Sequence, residues 1–122
     1  MLWSFDGPNY SAGPDLYPYA NKIHLNVGDG AANSFANLIA YPSLNVWHHY
    51  VVVFNQLTNL GTLYIDGNLI GTSIYRNPMG PNLYIGKYDN SGYFWYGSIK
   101  SVKVYNRVLS ATEILQKYNE SK

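Results

Sequence analysis

The densest concentration of groups able to engage a ligand lies in one run, Tyr88-Asp89-Asn90-Ser91-Gly92-Tyr93-Phe94-Trp95-Tyr96. Aromatic faces pack against sugar C–H groups, while amide and carboxylate oxygens beside them hydrogen-bond hydroxyls. The run supplies both, which makes Tyr88, Asp89, Asn90, Tyr93 and Trp95 the candidate ligand-binding residues. A competing reading stays open, in which Phe94 and Tyr96 close a core and the remainder cover a loop; Phe94 is assigned to the core. Tyr10, Tyr17 and Tyr19 form a sparser aromatic patch in a proline-rich segment, where stiffening of a coil-like stretch is the alternative role.

Sugar hydrolysis would need two carboxylates held about 5 to 10 Å apart. The seven acids are Asp6, Asp15, Asp29, Asp66, Asp89, Glu113 and Glu120, and no closely spaced pair falls on one strand. Asp66 is accounted for by a turn, Glu113 by a helix cap and Glu120 by a solvated helix end. No catalytic residue is assigned, and the sequence reads as non-enzymatic. His48 and His49 look reactive, yet neighbours on a strand project to opposite faces and cannot share one metal or relay. Packing or hydrogen bonding is their expected role. His24 stands alone on its own segment.

The elements that would position these groups are mostly strands. Only 12% of residues are charged, while Tyr occurs 13 times and Gly 11 times, a balance that favours strands and turns over surface helices. Residues 46–54 (V-W-H-H-Y-V-V-V-F) read as a strand with two apolar faces, hence central and covered on both sides. Across 61–75, Leu63, Ile65, Leu69 and Ile74 flank Asp66-Gly67, a pair suited to a type I′ hairpin turn. Residues 82–87 predict a short strand, and 98–105 another, with a β-bulge between Ile99 and Val102. Strands are also expected at 2–5, 22–27 and 37–41, and a loop at 7–20, which holds three prolines. The period then changes: Leu109, Ile114, Leu115 and Tyr118 share a helical stripe behind the capping-box pattern Ser110-Ala111-Thr112-Glu113.

At 122 residues and 47% hydrophobic content, the chain suits one domain spanning 1–122 with one core. A net charge of +1 with no basic cluster argues against a nucleic-acid binder. No stretch approaches the roughly 20 apolar residues of a membrane span, and no signal-like segment follows Met1, so the sequence reads as soluble and as mature or truncated. Without cysteine there is neither a disulfide framework nor a thiolate site.

The ordered series Trp47-His48-His49, Leu63-Tyr64-Ile65-Asp66-Gly67, Leu83-Tyr84-Ile85-Gly86, Gly97-Ser98-Ile99 and Val104 through Ser110 with Glu113 resembles the landmarks of laminin-G-like, concanavalin A-like jelly-roll domains. The resemblance covers roughly residues 46–118. It implies an all-β antiparallel sandwich with one short C-terminal helix, and a packing role for Trp47. It implies fold more strongly than function, since one fold hosts many sites. Relatives bind glycans, mediate adhesion or build virus particles, so the implied function is carbohydrate recognition or, alternatively, virion assembly. An extracellular or virion surface location follows from the same resemblance. Some relatives hold calcium, and Asp29 and Asp89 would be its ligands here; two plain turn residues are the alternative, because calcium takes several oxygens. Spacing to Trp47 places residues 2–5 at a later strand of the family, so the domain reads as short of its first strands. The strand at 98–105 would then have an open edge, to be covered by a strand-supplying partner chain, by a homo-oligomer or by the domain's own termini.

Overall fold

The computed structural model describes residues 3–5, 15–19, 22–26, 35–40, 43–74, 82–87 and 94–122, with side chains described at Leu16, 43–72, 82–87 and 94–122. The described elements are β1 Trp3–Phe5, β2 Asp15–Tyr19, β3 Lys22–Asn26, β4 Phe35–Ala40, β5 Tyr50–Asn55, β6 Leu60–Ile65, β7 Asn68–Ile74, β8 Leu83–Ile85 and α1 Ala111–Ser121. Their pairings are antiparallel and form two sheets, a five-stranded one in the order β4-β3-β2-β1-β8 and a three-stranded one in the order β5-β6-β7. The sheets approach each other where β4 lies against β7.

The three-stranded meander follows directly from its turn chemistry. Asn55 ends β5, and its side-chain oxygen accepts from the amides of Leu57 and Thr58, folding the chain back before Leu60. The next reversal uses two residues only, Asp66 at φ 51° and Gly67 at φ 77°, between the paired Ile65 and Asn68. This is the I′ geometry expected from the Asp-Gly pair, and its twist matches that of the flanking strands.

Helix α1 begins as its sequence predicts. The Ser110 hydroxyl accepts from the Glu113 amide, the Glu113 carboxylate accepts from the Ser110 amide, and Arg107 clasps the same carboxylate through both terminal nitrogens at 2.7 and 3.1 Å. Leu16, Leu63, Leu109 and Ile114 are buried, joining both sheets and the helix to the core. Complete burial of a Leu or Ile contributes about 1.5–3 kcal/mol, so Ile114 is the helix's main anchor. Leu115 and Tyr118 pack the other way, onto the β6–β7 turn: a methyl group added at Gly67 would lie 2.8 Å from Leu115 Cδ1 and 3.2 Å from Tyr118 Cδ1.

Three expectations are corrected. The first concerns β5, which starts at Tyr50 rather than at residue 46 and lies at the edge of the described sheet; β6 is the central strand. Every residue of β5 is half-buried. Apolar residues on both faces of a strand report what covers those faces, not how many ladder partners it has. The second is the proline-rich stretch expected as a loop, which contains β2, paired with β1 on one side and β3 on the other. Among the described residues β1 pairs with Asp15 and Leu16, so Pro18 lies beyond that pairing, in a part of β2 where a missing N–H is tolerated. The third is residues 98–105, which form no strand: among the described residues no backbone ladder reaches them, and Ile99, Val102 and Val104 are exposed. Side-chain pattern cannot make a strand without a neighbour to take its backbone hydrogen bonds.

Two substitutions should separate these anchors. Gly67→Ala is expected to cost about 1–2 kcal/mol from the left-handed backbone alone, plus the displacement of Leu115. Ile114→Ala should cost about 2–5 kcal/mol. Urea denaturation of both variants checks the two figures.

Candidate functional site

Two clusters of chemically capable side chains emerge. The first follows β8. Gly86, at φ 76°, ends that strand, and its carbonyl accepts the Trp95 amide at 2.8 Å, so the aromatic run is tied at its far end to the five-stranded sheet. Trp95 is half-buried; its indole edge lies over Gly97, where an added methyl would sit 2.8 Å from Nε1. That Nε1 is buried with no hydrogen-bond partner among the described residues. On either side the rings turn outward, Phe94 63% and Tyr96 97% exposed.

The sequence reading of this run is therefore altered. Phe94 and Tyr96, considered for the core, are displayed, while Trp95 is the ring held inward. In an extended backbone neighbouring side chains alternate, so anchoring Trp95 against Gly97 necessarily presents its neighbours. Of the candidate ligand-binding residues, Tyr88, Asp89, Asn90 and Tyr93 lie outside the described residues, as do Asp29 and Tyr10. Tyr17 and Tyr19 fall on β2 and His24 on β3, opposite Tyr17 in the ladder. Among the described residues no group of three or more His, Cys, Asp or Glu could hold a metal ion, and neither calcium candidate is among them.

The second cluster was not legible from spacing. Asp66, left to its turn in the sequence, also reaches back to the residues before β5. Its Oδ2 meets His48 Nδ1 at 2.7 Å, its Oδ1 accepts the His49 amide at 2.8 Å, and its own amide donates to the His49 carbonyl. His48 Nε2 lies 3.0 Å from the Ser43 carbonyl oxygen and 3.3 Å from the Ser43 hydroxyl. The set superficially copies a serine–histidine–aspartate triad. A general base, however, needs a free lone pair on the nitrogen facing the hydroxyl, and a carbonyl can only accept, so Nε2 must carry a proton here. The geometry suits a tie between segments.

The two histidines part company, as neighbours were expected to. The His49 ring stacks on Tyr118 of α1 at 6.2 Å, and its Nδ1 is buried without a partner among the described residues. Burial holds its pKa below the ordinary value; Asp66 opposes this, and Lys103 and Lys117 reinforce it. Trp47, expected to pack, is 65% exposed. β5 begins at Tyr50, so Trp47 falls outside the ladder.

With this architecture in place, comparison with known proteins is decisive on family. The laminin G profile of the concanavalin A-like lectin/glucanases superfamily matches residues 6–115. The chain belongs to that superfamily. Its fold is accordingly a β-sandwich, and the two sheets with their C-terminal helix are this chain's version of it. Among solved structures, the chain is similar to an S-layer domain-containing protein (residues 221–444) from Clostridium thermocellum ATCC 27405, at 22% identity and a TM-score of 0.52. That match covers 80% of this chain and 50% of the other, so the chain spans about half the length of its structural relative. No curated protein matches at a significant level. Among the described residues, no helix is long and apolar enough to cross a membrane.

The cap of α1 yields a pH prediction. The Arg107 hydrogen bonds, then the Ser110 amide, lower the Glu113 pKa from 4.5 to about 2. A depressed carboxylate contributes stability that is complete above its unfolded pKa and is lost as pH falls through the folded value. Protection of the first-turn amides of α1, taken relative to their intrinsic exchange rates, should therefore fall as pH drops from 4.5 to about 2, and Glu113→Gln should remove that dependence.

Proposed function

We propose that this chain is a non-catalytic recognition module, a jelly-roll sandwich that binds carbohydrate at a cell, matrix or virion surface through the aromatic run 88–96. The observation that carries the reading is the outward display of Phe94 and Tyr96 on either side of an anchored Trp95. Aromatic faces open to solvent offer the surface on which sugar C–H groups pack, and the Trp95 amide bond to Gly86 fixes the backbone that carries them. The polar partners the platform needs, Asp89 and Asn90, adjoin it in sequence. Among the acids whose side chains are described, the partners are consistent with a non-catalytic role. Asp66 is committed to His48 and His49, Glu113 to Arg107 and Ser110, and Glu120 accepts from Gln116 at 2.9 Å. The structural similarity to an S-layer domain-containing protein is in keeping with a surface setting.

A second reading, assembly through protein contacts, is favoured by one specific observation. Residues 98–105 run exposed and without a ladder among the described residues, with Val104 73% exposed beside Val102 and Ile99. A strand added by a partner chain or a second copy would satisfy that backbone and cover those side chains.

On a glycan array the intact protein should bind a defined set of sugars, and Phe94→Ala, Trp95→Ala and Tyr96→Ala should each lower that binding by tenfold or more. An array left empty by the intact protein would overturn carbohydrate recognition. For the assembly reading, light scattering at increasing concentration should show association that Val102→Lys with Val104→Lys abolishes; a monodisperse monomer throughout would count against it.

A further inference from the structure

The cluster of Ser43, His48 and Asp66 is used by neither reading above, and its hydrogen bonds constrain its protonation. We infer that His48 is held as an imidazolium whose second proton latches the segment 43–49 onto the β6–β7 turn, making this corner of the sandwich a proton-operated switch. A neutral imidazole has one N–H and one lone pair. Here both ring nitrogens face acceptors: Nδ1 faces Asp66 Oδ2 at 2.7 Å, and Nε2 faces the Ser43 carbonyl oxygen at 3.0 Å. A carbonyl cannot donate, and a carboxylate only accepts. Both bonds therefore form only when both nitrogens carry hydrogen.

The consequence of losing one proton is local and directional. The shorter bond, to the Asp66 carboxylate, keeps its hydrogen because a charged acceptor is the stronger one. Nε2 is then left with a lone pair facing the lone pairs of the Ser43 carbonyl, and attraction becomes repulsion. The Ser43 hydroxyl, 3.3 Å from Nε2, is the group placed to donate to that lone pair instead. Deprotonation thus exchanges the backbone bond of Ser43 for a side-chain one and frees the carbonyl. The segment so released carries the exposed side chains Leu44, Val46 and Trp47, and the proton sets how they are presented.

The surroundings agree. Burial disfavours the charged ring, yet the Asp66 hydrogen bond, the Ser43 carbonyl and the Asp66 charge together outweigh it and raise the His48 pKa above its ordinary value. Around the ring stand Asp66 from the turn and Tyr50 from β5, the latter edge-on at 6.4 Å; the His49 ring turns away to Tyr118, and Lys103 and Lys117 act on His49. A raised histidine pKa means the latch is complete below the unfolded value of 6.5 and is lost as pH rises through the folded one.

The test is an imidazole ¹⁵N titration of the intact chain by NMR, with amide exchange of residues 43–48 followed over the same pH range. His48 should titrate above pH 6.5 and show both nitrogens protonated below that point, and residues 43–48 should lose protection, relative to their intrinsic exchange rates, in step with its deprotonation. Asp66→Asn, which retains an acceptor and tolerates positive φ, should lower the His48 pKa by about one unit or more. Ser43→Ala should leave the latched state intact and increase exchange further in the unlatched one. A single-proton tautomer for His48 at pH 5.5, a titration at or below 6.5, or unchanged pH dependence of exchange in His48→Gln would each overturn the inference.

Discussion

The Asp66–Gly67 turn is the point on which the described structure depends. Its two residues occupy positive φ, which only a few residue types tolerate, and the reversal they create sets Ile65 opposite Asn68 and Tyr64 opposite Leu69, before the register of β6 and β7 shifts between Tyr64 and Leu63. The same two residues then act at longer range. Asp66 holds the residues before β5 by a ring bond, an amide bond and a backbone bond, and Gly67 leaves room for Leu115 and Tyr118 of α1 to close over the turn. Strand start, hairpin and helix therefore meet on one carboxylate and a missing methyl. An uncharged Asn at 66 could still turn the chain and accept from the His49 amide but would weaken the bond to the His48 ring, and a side chain at 67 would displace Leu115.

The helix is secured from two sides by interactions of different kinds. Ile114 and Leu109 are drawn into the core by the hydrophobic effect, which is non-directional, and the Ser110, Glu113 and Arg107 contacts fix where the helix begins. Lys117 lies over the Tyr105 ring at 4.8 Å, tying the irregular segment ahead of the helix to its solvent face. These constraints hold the end of 98–105 in place without giving it a ladder. This exposed segment, carrying valines and an isoleucine beside the helix, has positional definition without a backbone ladder among the described residues.

Much of this was legible in the residues. The Asp-Gly turn and the capping box each depend on local chemistry, and the ordered landmarks from Trp47 to Glu113 lead to the superfamily that the match over residues 6–115 shows. The misreadings share one origin. Apolar content, taken to report location, places strand 46–54 at the sheet centre and Phe94 in the core, and the family landmark places Trp47 in packing. Pro18 was read as a breaker because its ladder neighbours were unknown. In each instance the deciding fact was what lay alongside: β6 as the one described neighbour of β5, Gly97 beneath Trp95, and the short reach of β1 along β2.

The sequence by itself determined the local reversals, the helix and its cap, the predominance of strands and the family, because these rest on backbone conformational preference and on short-range hydrogen bonds. Tertiary structure alone decided which aromatic rings are offered to solvent and which histidine meets Asp66. Residues 48 and 66 are 18 positions apart, and their meeting requires β5, β6 and β7 to be in register first. The same holds for 98–105, whose alternating side chains suit a strand. A strand is a relation between two backbones, and no pattern within one of them can supply the other.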